Sequence, residues 1–441
     1  MSEPRLVRAV VVQPKWTVED FASEGSFRAW MRSQLDRARP HLSSSRPNLV
    51  VLTELNGLPL LLTNARLATR ATSLQGALAL SLAKFLPEVL AVASARRVSL
   101  ARALHLVRAP ETVRVYLETC RDLARTFGVY LVSGSAPLPH LARIGTDLSF
   151  GSQVFNETVI FAPDGRVIGT ADKVYLTQPE GPGGLDFSVG RLEDLRVFPT
   201  DVGDLGVAIS LDAFMPDVIA RLEEQGCTVL LQPDANGGSW TGKEQEGPRT
   251  GERDQPEAWL ESAWQAVQRS PTLRYALNPM VVGNLFDVAF DGQSAIVARS
   301  DEAAEPRSYV MTEPRAGFLA LAPWVEDGDL GTLRRVGLQL EPASRSPREN
   351  AYREDVLSAD LTLPPRERDA QPLSPHEEAV NALLEGRAVL SPAPGVTAAR
   401  SVKPFVVASL VVGGARIARR SKLVGGALVL AGAALGALWS F

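Results

Sequence analysis

Residues 6–13, LVRAVVVQ, and 48–54, NLVVLTE, are short and nearly unbroken apolar runs. A charged stretch at 19–40 lies between them and stops near Pro40. Such runs suit strands buried on both faces, and the charged segment suits a helix, so the chain opens in β-α-β order. That order points to an α/β fold with parallel neighbours joined by crossovers. The pattern continues with a helix at 115–127 and a strand at 128–134, GVYLVSG. Residues 153–162 and 166–170 are predicted to form an antiparallel pair around Pro163-Asp164-Gly165, because Asp-Gly supplies the conformations a tight hairpin needs. Further strands are predicted at 205–211 and 228–232, with helices at about 215–226 and 256–269. A strand pair is predicted over 280–299, around Asp291-Gly292.

Two regions stand outside this rhythm. Residues 58–112 are long, apolar and helix-prone, and they separate the second strand from the next helix. An extra helical layer is expected there. The competing expectation is a membrane-lying insertion, since Arg96, Arg97, Arg102 and Arg108 punctuate the apolar stretches. Residues 341–400 are rich in Pro, Arg, Glu and Ser, a composition expected of a flexible linker with one short helix at 375–386. The tail at 401–441 changes character again. Its last 19 residues, 423–441, carry no charge, and a helix rising ~1.5 Å per residue can just cross a bilayer core of ~30 Å. Arg416, Arg419, Arg420 and Lys422 are then expected on the cytoplasmic side, which makes this a tail anchored to the cell membrane.

Composition closes several routes. A net charge of −4 gives no basis for nucleic acid as a partner. Cys120 and Cys227 cannot build a disulfide framework or a zinc site. Four histidines (His41, His105, His140 and His376) are not spaced like metal ligands, so no metal or cofactor is expected. The apolar run in MSEPRLVRAVVVQPKW is too short for a signal peptide.

Three segments, in order, place chemistry at strand ends. They are VVLTELNG with Glu54, ADKVYLTQPEG with Lys173 and Glu180, and GVAISLDAFMPD with Ser210. Together with EEQGCTVLLQPDAN at 223–236 and FDGQSAIVA at 290–298, they resemble the nitrilase, or carbon–nitrogen hydrolase, superfamily. The resemblance covers about residues 6–300, with 58–112 as an unusual insertion. It implies an α-β-β-α sandwich over about 1–340 and homo-oligomers built by sandwich-to-sandwich packing. It also implies a small amide, nitrile or acyl ligand. In that superfamily a glutamate takes the proton from a cysteine, the thiolate attacks the carbon, and a lysine stabilises the oxyanion. Glu54 and Lys173 match the glutamate and the lysine, and Glu180 matches a second glutamate that positions the lysine.

Ser210 occupies the cysteine's position. A thiol has a pKa near 8.5 and ionises with modest help, whereas an alcohol is a far weaker acid. Serine nucleophiles rely on a histidine or a neutral amine, and carboxylates beside Lys173 favour its charged form. The expectation is a membrane-tethered, hydrolase-like protein with lost or much reduced hydrolysis. The alternatives are an active serine-dependent amidohydrolase and a non-catalytic membrane scaffold. Asp212 is assigned either to substrate binding or to capping the next helix, and Trp240 to the pocket wall. GGSWTGKE (237–244) nearly matches a phosphate loop but carries Glu244 where the hydroxyl belongs. Cys227, at the start of an apolar strand, is expected to be an inert core thiol.

Overall fold

The computed structural model describes residues 3–65, 67–240, 242–244, 249–324 and 353–393. Among them, the parallel strands Arg5–Gln13, Asn48–Val51 and Tyr130–Val132 form the middle of a seven-stranded sheet. The hairpin Phe155–Phe161 and Val167–Asp172 extends one side, with Ala136–Leu138 also paired on Phe155–Phe161. A six-stranded sheet runs in the order Val197–Thr200, Gly203–Val207, Val229–Leu231, Tyr275–Asn278, Ala295–Ala298 and Phe318–Leu321. Its three strands from Gly203 to Asn278 are parallel neighbours.

Side-chain alternation shows how the sheets stack. Val7, Ala9 and Val11 join the core shared with the second sheet, whereas Val10 and Val12 join a core on the opposite face. Leu49 and Val51 divide from Val50 and Leu52 in the same way. The second core also takes Phe27, Met31, Tyr116 and Cys120 from the helices Glu24–Ala38 and Leu100–Phe127. Val218, Leu222 and Val267 cover the outer face of the second sheet from Pro216–Glu224 and Gln265–Arg269. The result is a four-layer α-β-β-α sandwich. Each fully buried Val, Leu or Phe contributes about 1.5–3 kcal/mol to holding it.

The 58–112 region is helical, and its last helix is longer than expected. Leu74–Lys84 and Leu86–Arg96 meet at 85°, and Leu100–Phe127 then runs without a break into the segment predicted as 115–127. Ser99 caps it by accepting the Arg102 N–H, and Gly128 ends it at φ 62°, a left-handed conformation that costs glycine little. Pro110 lies inside this helix, which is why its continuity is hard to read from sequence. No single described helix is long and apolar enough to cross a membrane.

Three expectations are corrected. The linker predicted at 341–400 contains Asp355–Leu363, an edge strand paired antiparallel with Arg5–Gln13 over nine residues. Its polar residues sit on an exposed edge, so the composition imitates a linker. Helix Pro375–Leu384 follows, with Ser374 and Glu377 forming a capping box. The strand pair expected around Asp291-Gly292 is instead a hairpin of Val282–Leu285 and Val288–Phe290, after which the chain crosses into Ala295–Ala298 of the second sheet. The strand expected at 205–211 ends at Val207, and a short helical turn, Ser210–Phe214, takes over. The hydrophobic tail at 401–441 lies outside the described residues.

Candidate active site

Both sheets send the carboxyl ends of their parallel strands to one place, where α/β proteins build sites. Glu54 follows the Asn48–Val51 strand. Its loop is fixed by Thr53 Oγ1 donating to Asn56 Oδ1 at 2.9 Å and by the Leu55 N–H donating to Ser135 Oγ at 2.8 Å. Lys173 directly follows Val167–Asp172, and its N–H donates to the Asn156 carbonyl at 2.9 Å. Glu180 ends a capped turn, with Oε2 accepting from Thr177 N at 2.9 Å and Thr177 Oγ1 at 2.8 Å.

These three side chains meet. Lys173 Nζ donates to Glu54 Oε1 at 2.8 Å and to Glu180 Oε2 at 2.7 Å, and its side chain is only 1% exposed. Asn156, a residue the sequence reading missed, joins the two carboxylates from behind. Its Nδ2 donates to Glu54 Oε1 at 2.9 Å and Glu180 Oε1 at 2.7 Å. The available signal was Asn-Glu-Thr inside an otherwise apolar strand, QVFNETVIF. Glu54 Oε2 accepts the Ala235 N–H at 3.1 Å, which ties the first sheet's site to the second.

Burial sets the electrostatics. It pulls the Lys173 ammonium down, but Glu180 and Glu54 outweigh it and hold the lysine above its usual range. Burial pushes Glu54 up to about 8, against the attraction of Lys173 and with the repulsion of Glu180. Burial also raises Glu180, yet Lys173 and the Thr177 and Asn156 donors bring it below its usual value. A charged ammonium with two carboxylates can stabilise an oxyanion, but it cannot accept a proton.

Ser210 sits three residues past the end of Gly203–Val207 and is 9% exposed. Its φ is 49°, a left-handed conformation that is costly for a non-glycine residue and tends to mark functional positions. Its N–H donates to the Pro233 carbonyl at 3.0 Å. Asp212 is fully buried, and its carboxylate accepts the Val174 N–H and the Tyr175 N–H, the latter at 2.7 Å. It therefore holds the segment after Lys173, and it does not cap helix Pro216–Glu224, which has Met215 at its N-cap. Burial pushes its carboxyl up to about 7.

Trp240 is also placed differently from expectation. It is fully buried, donates Nε1 to Gln293 Oε1 at 3.2 Å, and packs edge-on against Trp259 and Tyr309. It packs behind Trp259. Glu244 pairs with buried Arg253 at 2.8 Å, which gives the phosphate-loop lookalike an ion pair. Cys227 is buried, and burial pushes its thiol up, out of nucleophile range.

Asp234 was missed as well. It is fully buried at the end of Val229–Leu231, and its Oδ2 accepts from Trp259 Nε1 at 3.1 Å and Asn278 Nδ2 at 2.5 Å. One further cluster lies on the outer face of the same hairpin that carries Asn156. His140, Glu157 and His376 bring ligand-type atoms within 4.8 Å of one another. The Leu141 N–H donates to His376 Nδ1 at 2.8 Å, leaving the proton on Nε2, which faces Glu157 Oε1 at 2.8 Å. In this arrangement the three side chains form a histidine–carboxylate network.

The carbon–nitrogen hydrolase family model matches residues 85–266, a span that holds Lys173, Glu180, Ser210 and Asp234. Over that span the chain is similar to the carbon–nitrogen hydrolase superfamily. It is also similar to omega-amidase NIT2 of Danio rerio, 28% identical over 129 residues, or 28% of this chain and 42% of that protein. Omega-amidase NIT3 of Saccharomyces cerevisiae is 26% identical over 130 residues, covering 29% of this chain and 42% of that protein. The matches thus span about two fifths of the length of these superfamily relatives. Among solved structures it is similar to a carbon–nitrogen hydrolase from Helicobacter pylori G27, with 18% identity, a TM-score of 0.45, and coverage of 77% of this chain and 94% of that one.

Proposed function

We propose that this chain is a carbon–nitrogen hydrolase acting on a small amide, with Ser210 as nucleophile and Lys173 as the oxyanion's cation. The observation that carries this reading is the Lys173 ammonium, held at 2.8 Å by Glu54 and 2.7 Å by Glu180, at the end of the sheets where Ser210 adopts its left-handed backbone. Relatives named omega-amidases make a small amide the first substrate class to test. The competing reading, a retained pocket without turnover, draws support from one fact. The carboxylates that hold Lys173 keep it charged, so the lysine cannot deprotonate an alcohol.

A panel of small primary amides, scored by ammonia release, separates the two. The wild type is expected to turn over at least one, Ser210→Ala to fall to background, and Ser210→Cys to exceed the wild type. Silence from both the wild type and Ser210→Cys would leave the pocket reading in place.

A further inference from the structure

We propose that Asp234 is the general base for Ser210, an assignment that rests on the reading of Ser210 as nucleophile. The sheet register carries it. Leu205, Gly206 and Val207 lie opposite Val229, Leu230 and Leu231 in a parallel pair. Three residues beyond Val207 is Ser210, and three beyond Leu231 is Asp234. The ladder continues past the strand ends, through Ala208 N–H to the Leu231 carbonyl at 2.9 Å and Ser210 N–H to the Pro233 carbonyl at 3.0 Å. On the far side, Asp234 is bridged to Met280, which continues the register with the third parallel strand. Ser210 and Asp234 therefore sit side by side beyond the ends of adjacent strands, about 4.8 Å apart at the backbone.

The carboxylate is built with one oxygen spare. Trp259 and Asn278 both donate to Oδ2, which fixes the plane of the group. Oδ1 is buried and takes no hydrogen bond among the described residues. A buried carboxylate oxygen left unpartnered is costly, and Ser210 is the hydroxyl beside it. Burial pushes the Asp234 carboxyl up to about 6, against the opposing pull of the Ser210, Trp259 and Asn278 side chains, so it is ionised at neutral pH yet more basic than an ordinary aspartate. The other candidates are committed elsewhere. Glu54 takes Lys173 and Asn156 on one oxygen and the Ala235 N–H on the other. Lys173 carries its full complement of protons.

In the acylation step the Ser210 proton passes to Asp234 Oδ1 as Oγ bonds to the amide carbon. The carbonyl electron pair moves onto oxygen, where the Lys173 ammonium is the stabilising cation. Cleavage of the carbon–nitrogen bond returns that proton to the departing nitrogen, and the amine leaves. Water then attacks the seryl ester with Asp234 again taking a proton, which it gives back to Oγ as the acid departs. Amide and water become carboxylic acid and amine.

The test uses full-length protein and a p-nitrophenyl alkylphosphonate, following p-nitrophenolate release and the mass of the Ser210 peptide. Wild type should label at Ser210 with a rate that rises as pH passes about 6. Asp234→Asn keeps an oxygen for Trp259 and Asn278, so it should fold by circular dichroism. It should label about 10²–10⁴-fold more slowly and lose the inflection. Two results overturn the assignment: no labelling of wild-type Ser210, or wild-type labelling with the inflection intact in Asp234→Asn. The wild-type pH profile tests the idea even if the variant misfolds, because a profile without an inflection near that pH also overturns it. Asp234-dependent labelling without turnover of any amide would instead remove the amide reading and leave the serine–aspartate pair standing.

Discussion

Asn156 and Glu157 are neighbours in one strand, and Asp172 and Lys173 are neighbours at the end of the strand beside it. Alternation sends Asn156 and Lys173 toward the inter-sheet site and Glu157 and Asp172 toward the outer face. The two faces handle charge in different ways. Inside, Lys173 is almost fully buried and its charge is fixed by two carboxylates. Outside, Glu157 and Asp172 meet His376 and His140, whose rings stack at 4.6 Å. A fixed cation suits the oxyanion role proposed for Lys173. The histidine–carboxylate pairs instead fasten helix Pro375–Leu384 to the sheet through His376, with Glu377 accepting the Thr170 N–H at 2.9 Å and pairing with Arg196 at 2.5 Å.

The sharpest way to break this contrast is to remove the fixed cation. Lys173→Met should abolish amide turnover and cost about 3–5 kcal/mol in urea unfolding, because Glu54 and Glu180 are left buried together without their partner. That loss should grow as pH rises and the two carboxylates are forced to ionise. A variant as stable as wild type at pH 8 would mean the pair is not buried as described. On the outer face, His376→Ala should cost less, about 1–3 kcal/mol, by leaving Glu157 without its donor. Its amide turnover should stay within a few fold of wild type, and a collapse in kcat with stability preserved would show the two faces to be coupled.

His140→Ala should have the smallest effect. The side chain is 44% exposed, and an exposed pair of this kind contributes about 0.2–1 kcal/mol. Burial pulls its pKa down, but Asp172 and Glu157 hold it up at about 9. Since the folded pKa is raised above the unfolded value, the contribution is full below about 6.5 and disappears as pH rises through about 9. Melting temperatures of wild type and variant should therefore differ at pH 6 and converge near pH 10. A difference independent of pH would point to lost ring stacking on Phe155, whose centroid lies 4.3 Å away.

Much of the scaffold was legible because buried parallel strands announce themselves as apolar runs, as 6–13 and 48–54 do. The segments around Glu54, Lys173 and Ser210 were legible because chemistry sits where such runs stop. What escaped was set by partners far away in sequence. Asp355–Leu363 reads as linker because an edge strand tolerates Asp and Ser on its open side. Asp234 reads as the end of a strand in QPDAN, since nothing local says that register places it beside Ser210. Asp212 and Trp240 look like site residues from their neighbours in sequence. Their actual partners, the Val174 and Tyr175 N–H groups and Gln293, appear only once the sheets are stacked.

The pairing of Arg5–Gln13 with Asp355–Leu363 has a bearing on how the molecule is made. Arg5 Nε reaches the Pro364 carbonyl at 2.6 Å across 359 residues of chain. One of the two neighbours of Arg5–Gln13 is therefore synthesised long after it. Until that neighbour arrives, one side of Arg5–Gln13 presents unpaired N–H and C=O groups, an open template for another chain. Closing so long a loop is slow, so the nascent protein must pass through a state in which this edge is kept apart from other copies. The polar residues that disguise Asp355–Leu363 as a linker leave the finished edge poorly suited to recruiting a further strand.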